Sequence, residues 1–149
     1  MSSAPEDQVR LRDPVVSARA NDDNVLMRTR RLSRAVTEVY DDKLQPFGIS
    51  AIQFSLLEVI DRLAPATRAA IARNQSLDKS TLTRDLRSIL SEGWVEEVRE
   101  QADGRSRPIA PTQAGKQLLL DAGSAWRAAH NEVKALLRQH GFIASSVDR

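Results

Sequence analysis

The sequence predicts a mainly α fold that carries one small β-hairpin. Three observations lead there. The 149 residues include only six Gly and six Pro, too few turn-formers for a chain of many short strands. Apolar residues recur at three- and four-residue steps through most of the length, the period of a helix packed on one face. The stretch from Ser76 to Thr112 alone breaks that rhythm. There an amphipathic segment gives way to Trp94-Val95-Glu96-Glu97-Val98, then to the hairpin-turn pair Asp103-Gly104, then to a second short run from Arg107 to Ala110.

Each helix has its own start and stop. From Val25 to Leu44 the apolar positions Val25, Leu32, Val36, Val39 and Tyr40 keep roughly helical spacing, and Gln45-Pro46-Phe47-Gly48 breaks it. Ser50 suits the N-cap of a second helix bearing Ile52, Phe54, Leu56, Leu57, Val59, Ile60 and Leu63, which Pro65 ends. A short third helix is predicted from Thr67 to Arg73, with a loop at Asn74-Gln75. Asp78 or Ser76 then caps a fourth, whose Leu82, Leu86, Ile89 and Leu90 form one stripe. Gly93 stops it, as a residue able to take the left-handed conformation. The strand returning from the turn is expected to be short and at an edge, because Pro108 has no N–H to give a ladder. Thr112 caps a long last helix with Leu119, Ala122, Trp126, Ala129, Val133 and Leu136 or Leu137 inward, and Gly141 closes it. Asp22-Asp23 and Asp41-Asp42 read as helix-end charges.

Composition narrows the function. Hydrophobic residues make up 41% and aromatics only 4%, so a core of Leu, Ile, Val and Ala is expected in one domain or two fused lobes. The net charge is +2, and the isoelectric point of about 9.4 reflects how little titrates between the acids and the lysines. So small a net charge fits an ordinary surface; its placement carries the information. There are no cysteines, which excludes disulfides, thiolate metal sites and thiol redox sensing. No apolar run nears the roughly 18–20 residues of a membrane span. The N-terminus has no apolar signal core, so a cytoplasmic protein without membrane attachment is expected.

The chemistry concentrates in the fourth helix and the hairpin. A duplex DNA major groove, about 12 Å wide, admits one α-helix. Such a helix needs short polar side chains near its N-terminus and longer cations a turn or two later. Ser80, Thr81 and Thr83 meet the first need, and Arg84 and Arg87 the second. Free N–H groups at the helix start also favour phosphate. In the hairpin, Arg105 and Arg107 flank Ser106 and therefore share a face if the segment is extended. Guanidinium groups on a narrow tip suit a minor groove, and Asp103 is placed to brace one of them. Either element alone also fits a plain solvated surface; the two in this order make the stronger case.

These residues resemble the multiple-antibiotic-resistance regulator (MarR) family of winged helix-turn-helix transcription factors. The resemblance rests on Ile52 to Glu58, Leu77 to Arg84, Gly93-Trp94-Val95, Asp103 to Arg107 and Thr112 to Gly115, and covers roughly residues 25–137. It implies a homodimer on a pseudo-palindromic operator, usually a repressor, with the fourth helix as recognition helix and Arg105 as the wing residue for the minor groove. Residues 1–20, polar with Pro5, Pro14 and mixed charges, read as an N-terminal arm; a helical dimerisation lobe is expected from 21–48 and 112–149, and a DNA-binding lobe at 49–111. The resemblance also implies release by a small aromatic or phenolic acid. Two departures carry expectations of their own. Pro111 stands where the family usually has leucine, which predicts a wing strand that ends early. The chain after Gly141 is short and the N-terminal arm long, so residues 5–20 are expected to supply dimer surface.

No enzyme is expected, and no cofactor or metal. Paired carboxylates, a glycine-rich phosphate loop and a Ser–His–Asp grouping do not stand out, and His130 and His140 lack metal-ligand spacing. For the effector, Tyr40, Trp126, His130 and Arg31 are candidates to line a cleft between the first and last helices, since aromatic faces plus a cation suit an aryl carboxylate. The plainer reading makes Tyr40 and Trp126 core or interface residues. A winged-helix module for protein–protein contact is the alternative to a DNA-binding regulator.

Overall fold

The computed structural model describes residues 24–99, 107–139 and 141. The arm at 1–20, Asp22-Asp23, Asp103-Gly104, Arg105, His140 and the residues after Gly141 lie outside them. Helix α1 (Val25–Leu44) leads through a 3-10 turn (Gln45–Phe47) to α2 (Ala51–Leu63), α3 (Arg68–Gln75) and α4 (Lys79–Ser91). Strands β1 (Val95–Glu97) and β2 (Ile109–Pro111) precede α5 (Gln113–Gln139). Among the described residues the fold is mainly helical with one two-stranded antiparallel hairpin, the predicted class.

The chain divides into two compact units at Ala35/Val36. In the first, the Asn24 side chain accepts from the Met27 N–H at 3.2 Å and opens α1. Val25, Leu26 and Met27 are exposed there.

The second unit is built around α2. Its Leu56, Leu57 and Ile60 share one core with Ile71, Leu82, Leu86, Ile89, Ile109 and Ala122. Burying a side chain of this size contributes about 1.5–3 kcal/mol, so the position of α4 is set by three such residues. The start of α2 is closed twice. Ser50 and Gln53 form a reciprocal capping box, at 3.2 and 2.9 Å. Asp41 then accepts from the Ala51 N–H at 2.7 Å, so this carboxylate belongs to the cap of α2 rather than merely to the end of α1. The Gln53 amide also donates to the Ser88 hydroxyl at 2.5 Å, which ties α2 to α4.

Helix α3 runs two residues beyond the expected stop at Arg73. The closing residue is Ser76, at φ 53°, and the Leu77 N–H reaches back to the Ala72 carbonyl at 3.0 Å. That backward bond satisfies a carbonyl at the helix end and carries Asn74 and Gln75 into the last turn. Gly93 ends α4 in the same way at φ 74°, with the Trp94 N–H on the Ile89 carbonyl at 3.2 Å.

The hairpin corrects two expectations. Strand β2 is not at an edge: it pairs with β1 on one side, while Ile109 exchanges hydrogen bonds of 2.8 and 2.9 Å with Ala66 on the other. Nor does Pro111 shorten the strand; it stands opposite Val95 in register. The reason is parity. Thr112 N–H donates to Trp94 and the Pro108 carbonyl accepts from Val98, so even-numbered residues face β1 and odd-numbered ones face away. The N–H that Pro111 lacks would have pointed away from β1. The one Pro108 lacks falls at the outer end of the ladder.

Thr112 joins the hairpin to α5. Its hydroxyl donates to the Gly93 carbonyl at 2.7 Å and accepts from the Gly115 N–H at 3.1 Å. Helix α5 then buries Gly115, Ala122, Ala129 and Val133, and Gly141 follows at φ 73°. Among the described residues no helix is long and apolar enough to cross a membrane, and no group of His, Asp and Glu could hold a metal ion.

Candidate functional site

Helix α4 turns Leu82, Leu86 and Ile89 into the core, and this orientation leaves Lys79, Ser80, Thr83, Arg84 and Arg87 exposed. Arg84 is 77% exposed and lies 3.6 Å from Asp85. Arg87 enters no ion pair among the described residues. Thr83 donates its hydroxyl to the Lys79 carbonyl at 2.7 Å. Thr81 is half-buried, and its hydroxyl serves the cap.

That cap is Asp78. Its carboxylate accepts from the Thr81 N–H at 2.8 Å, the Ser80 hydroxyl at 2.8 Å and the Thr81 hydroxyl at 3.0 Å. These bonds, the Thr81 N–H foremost, lower its pKa from 3.8 to about 2. A carboxyl depressed on folding contributes stability that is present above about pH 3.8 and lost as the pH falls through about 2. Asp78→Ala is therefore expected to be less stable than the parent in urea at pH 6. The gap should narrow between pH 3.8 and 2. A gap unchanged by pH would mean that the cap does not depend on the carboxylate.

The root of the hairpin holds a cluster that the sequence reading missed. Glu97 on β1 receives Arg68 from α3 at 2.5 Å and Arg107 at 3.3 Å. Arg68 also donates to the Arg107 carbonyl at 3.3 Å. Both arginines, through their hydrogen bonds, hold the Glu97 carboxyl below its usual range. Arg107 remains 69% exposed. Glu97 is thus a described brace for a wing arginine; Asp103, assigned that role from sequence, lies outside the described residues. Arg68 was legible only as an isolated cation, since its partner is far away in the chain.

A cavity of about 780 Å³ opens among the C-terminal part of α1, α2 and α5. Tyr40, Trp126 and Phe54 line it as a run of rings, with centroids 4.4 Å apart for Tyr40–Trp126 and 4.6 Å for Phe54–Trp126. The Tyr40 hydroxyl and His130 Nδ1 share a hydrogen bond of 3.0 Å, and burial pushes the phenol pKa up. Tyr40, Trp126 and His130 therefore meet in one cavity. Arg31 belongs to the first unit, on an exposed face of α1. The guanidinium that does line the cavity is Arg127, overlooked in the sequence although it adjoins Trp126. A smaller cavity of about 330 Å³ has Thr81 and Arg84 among its walls.

Two successive helices, the second with its polar face outward, followed by an antiparallel hairpin, define the winged helix-turn-helix class. The MarR family model matches residues 47–106. The transcriptional regulator MosR of M. tuberculosis, solved in complex with DNA, is 33% identical, with a TM-score of 0.67 over 76% of this chain and 82% of that one. A mutant MarR from E. coli, complexed with operator DNA, is 27% identical, with a TM-score of 0.66 over 76% of this chain and 82% of its own. An uncharacterized HTH-type transcriptional regulator of Bacillus subtilis, YwoH, is 25% identical over 85 residues, 57% of this chain. The match spans 61% of that relative's length, less than two thirds. The chain belongs to the MarR family of transcriptional regulators.

Proposed function

We propose that the protein is a homodimeric, sequence-specific repressor that docks α4 in the major groove of an operator and sets its wing on the adjacent minor groove. The observation that carries this reading is the exposed face of α4, where Lys79, Thr83, Arg84 and Arg87 stand clear of a core that fixes the helix by its other side. Ser80 and Thr81 sit at the capped first turn, within reach of a groove wall. The Arg107–Glu97–Arg68 cluster supports the wing root, and Arg105 is the residue assigned to the groove. MosR and MarR in their complexes with DNA support the same reading by family. Residues 49–111 form the DNA-binding lobe in this proposal, and 21–48 with 112–149 the dimerisation lobe. Exposed Val25, Leu26 and Met27 are apolar surface that a partner copy would cover. A small ligand then releases the operator.

The test is binding to promoter DNA of neighbouring genes over a salt series. The logarithm of the affinity is expected to fall linearly with the logarithm of salt, by about 0.9 for each phosphate contacted. Arg87→Ala and Arg105→Ala should each weaken operator binding by about 1–3 kcal/mol with the melting temperature unchanged. Among the described residues, Arg87 has no ion pair to lose. Full-strength binding by both variants would remove the α4 face and the wing from the interface.

A further inference from the structure

We infer that the cavity bounded by Tyr40, Phe54 and Trp126 binds an aromatic organic cation, not the aromatic acid that the family resemblance implies. The inference deepens the regulator reading by naming the chemistry of its effector. Two independent features point the same way.

The first is the run of rings. Tyr40 and Trp126, both half-buried, border the cavity with their rings, and Phe54, 2% exposed, packs against Trp126. Aromatic rings carry negative quadrupole charge on their faces and favour a cation beside them. The second is charge. Glu58 and Asp61, one turn apart on α2, both line the cavity. Neither takes part in an ion pair among the described residues. Against these two carboxylates, among the described residues, the cavity is lined by one guanidinium, that of Arg127, and by His130, whose Nδ1 shares a hydrogen bond with Tyr40. An incoming aryl carboxylate would meet two like charges for each fixed opposite one. An aromatic cation meets both carboxylates beside the rings of Tyr40 and Trp126, and Arg127 is the guanidinium that opposes it. The volume of about 780 Å³ lies within the range of sites for drug-sized molecules, roughly 300–1,000 Å³, so the cavity has room for a ligand larger than a single benzoate ring.

The full-length protein without DNA is titrated by calorimetry with tetraphenylphosphonium and with N-benzylpyridinium, and in parallel with naphthalene-2-carboxylate. Saturable binding of at least one cation is expected, at least ten-fold tighter than the carboxylate. Glu58→Gln combined with Asp61→Asn should weaken the cation at least ten-fold, and because both residues are exposed the melting temperature should hold. Arg127→Gln should tighten it. The proposal is overturned if neither cation saturates, if the carboxylate binds as tightly, or if the double variant keeps its affinity. Because DNA is left out, each of these failures strikes the ligand assignment alone, whereas lost operator binding with intact cation binding strikes the regulator reading alone.

Discussion

Truncating Leu86 to alanine is expected to lower the unfolding free energy by about 2–5 kcal/mol. Leu86 is 1% exposed and belongs to the cluster that joins α4 to α2, α3 and the hairpin. Its loss removes both the transfer energy of the side chain and its contacts, since a core fixed from several elements cannot collapse fully into the gap. A domain of this size typically has only about 5–15 kcal/mol in hand, so the variant should show a markedly lower urea midpoint with an unchanged slope. The effect should reach function through fold alone. At temperatures where the variant remains folded, the exposed face of α4 is intact and operator affinity should match the parent. A midpoint within error of the parent would show that α4 is not held by this stripe.

Gly115→Ala is the second large effect, by the opposite route. A Cβ at this position would run into the carbonyl oxygen of Trp94, and would lie 3.0 Å from the Trp94 carbonyl carbon and 3.2 Å from Leu57 Cδ1. The main obstruction is backbone, which no rotamer change relieves. The same carbonyl accepts the Thr112 N–H at 2.9 Å, so moving it disturbs the junction of hairpin and α5. Overpacking of this kind costs about 1–3 kcal/mol, occasionally more. Gly123→Ala on the same helix is the control. Its Cβ would meet only the end of the Arg127 side chain at 3.4 Å, and alanine is the better helix former. Thermal unfolding of the two variants should therefore shift in different directions. A Gly115→Ala protein as stable as the Gly123→Ala one would refute the close approach.

The local logic of the chain was readable in advance. Val25 and Leu44 bound α1 because Gln45-Pro46 breaks it; Ser50, Asp78 and Thr112 announce caps through their side chains; Leu82, Leu86 and Ile89 give α4 its inward stripe. The exposed positions of Arg84 and Arg87 follow from that stripe. What was not readable depends on distant pairs. Nothing near Pro108 tells that Ala66 will flank β2, so the strand looked marginal. Glu97 carries no mark of its two arginines, one of them on α3. The cavity shows the same limit: Tyr40, Trp126 and His130 were identified as aromatic and basic candidates, but Glu58 and Asp61 look like ordinary solvated acids of α2 until α5 is laid beside them. Ser76, read as a possible cap for α4, instead closes α3 because a left-handed turn there frees Asp78 for the cap.

The two-sided pairing of β2 also bears on how this lineage can vary. With Ile109 stitched to Ala66 and its neighbours to β1, adding or deleting one residue in the strand would send Ile109 toward water and bring Ala110 inside. Keeping Ile109 in the core therefore confines any change of hairpin length to the stretch between Val98 and Pro108, the pair that closes the described ladder.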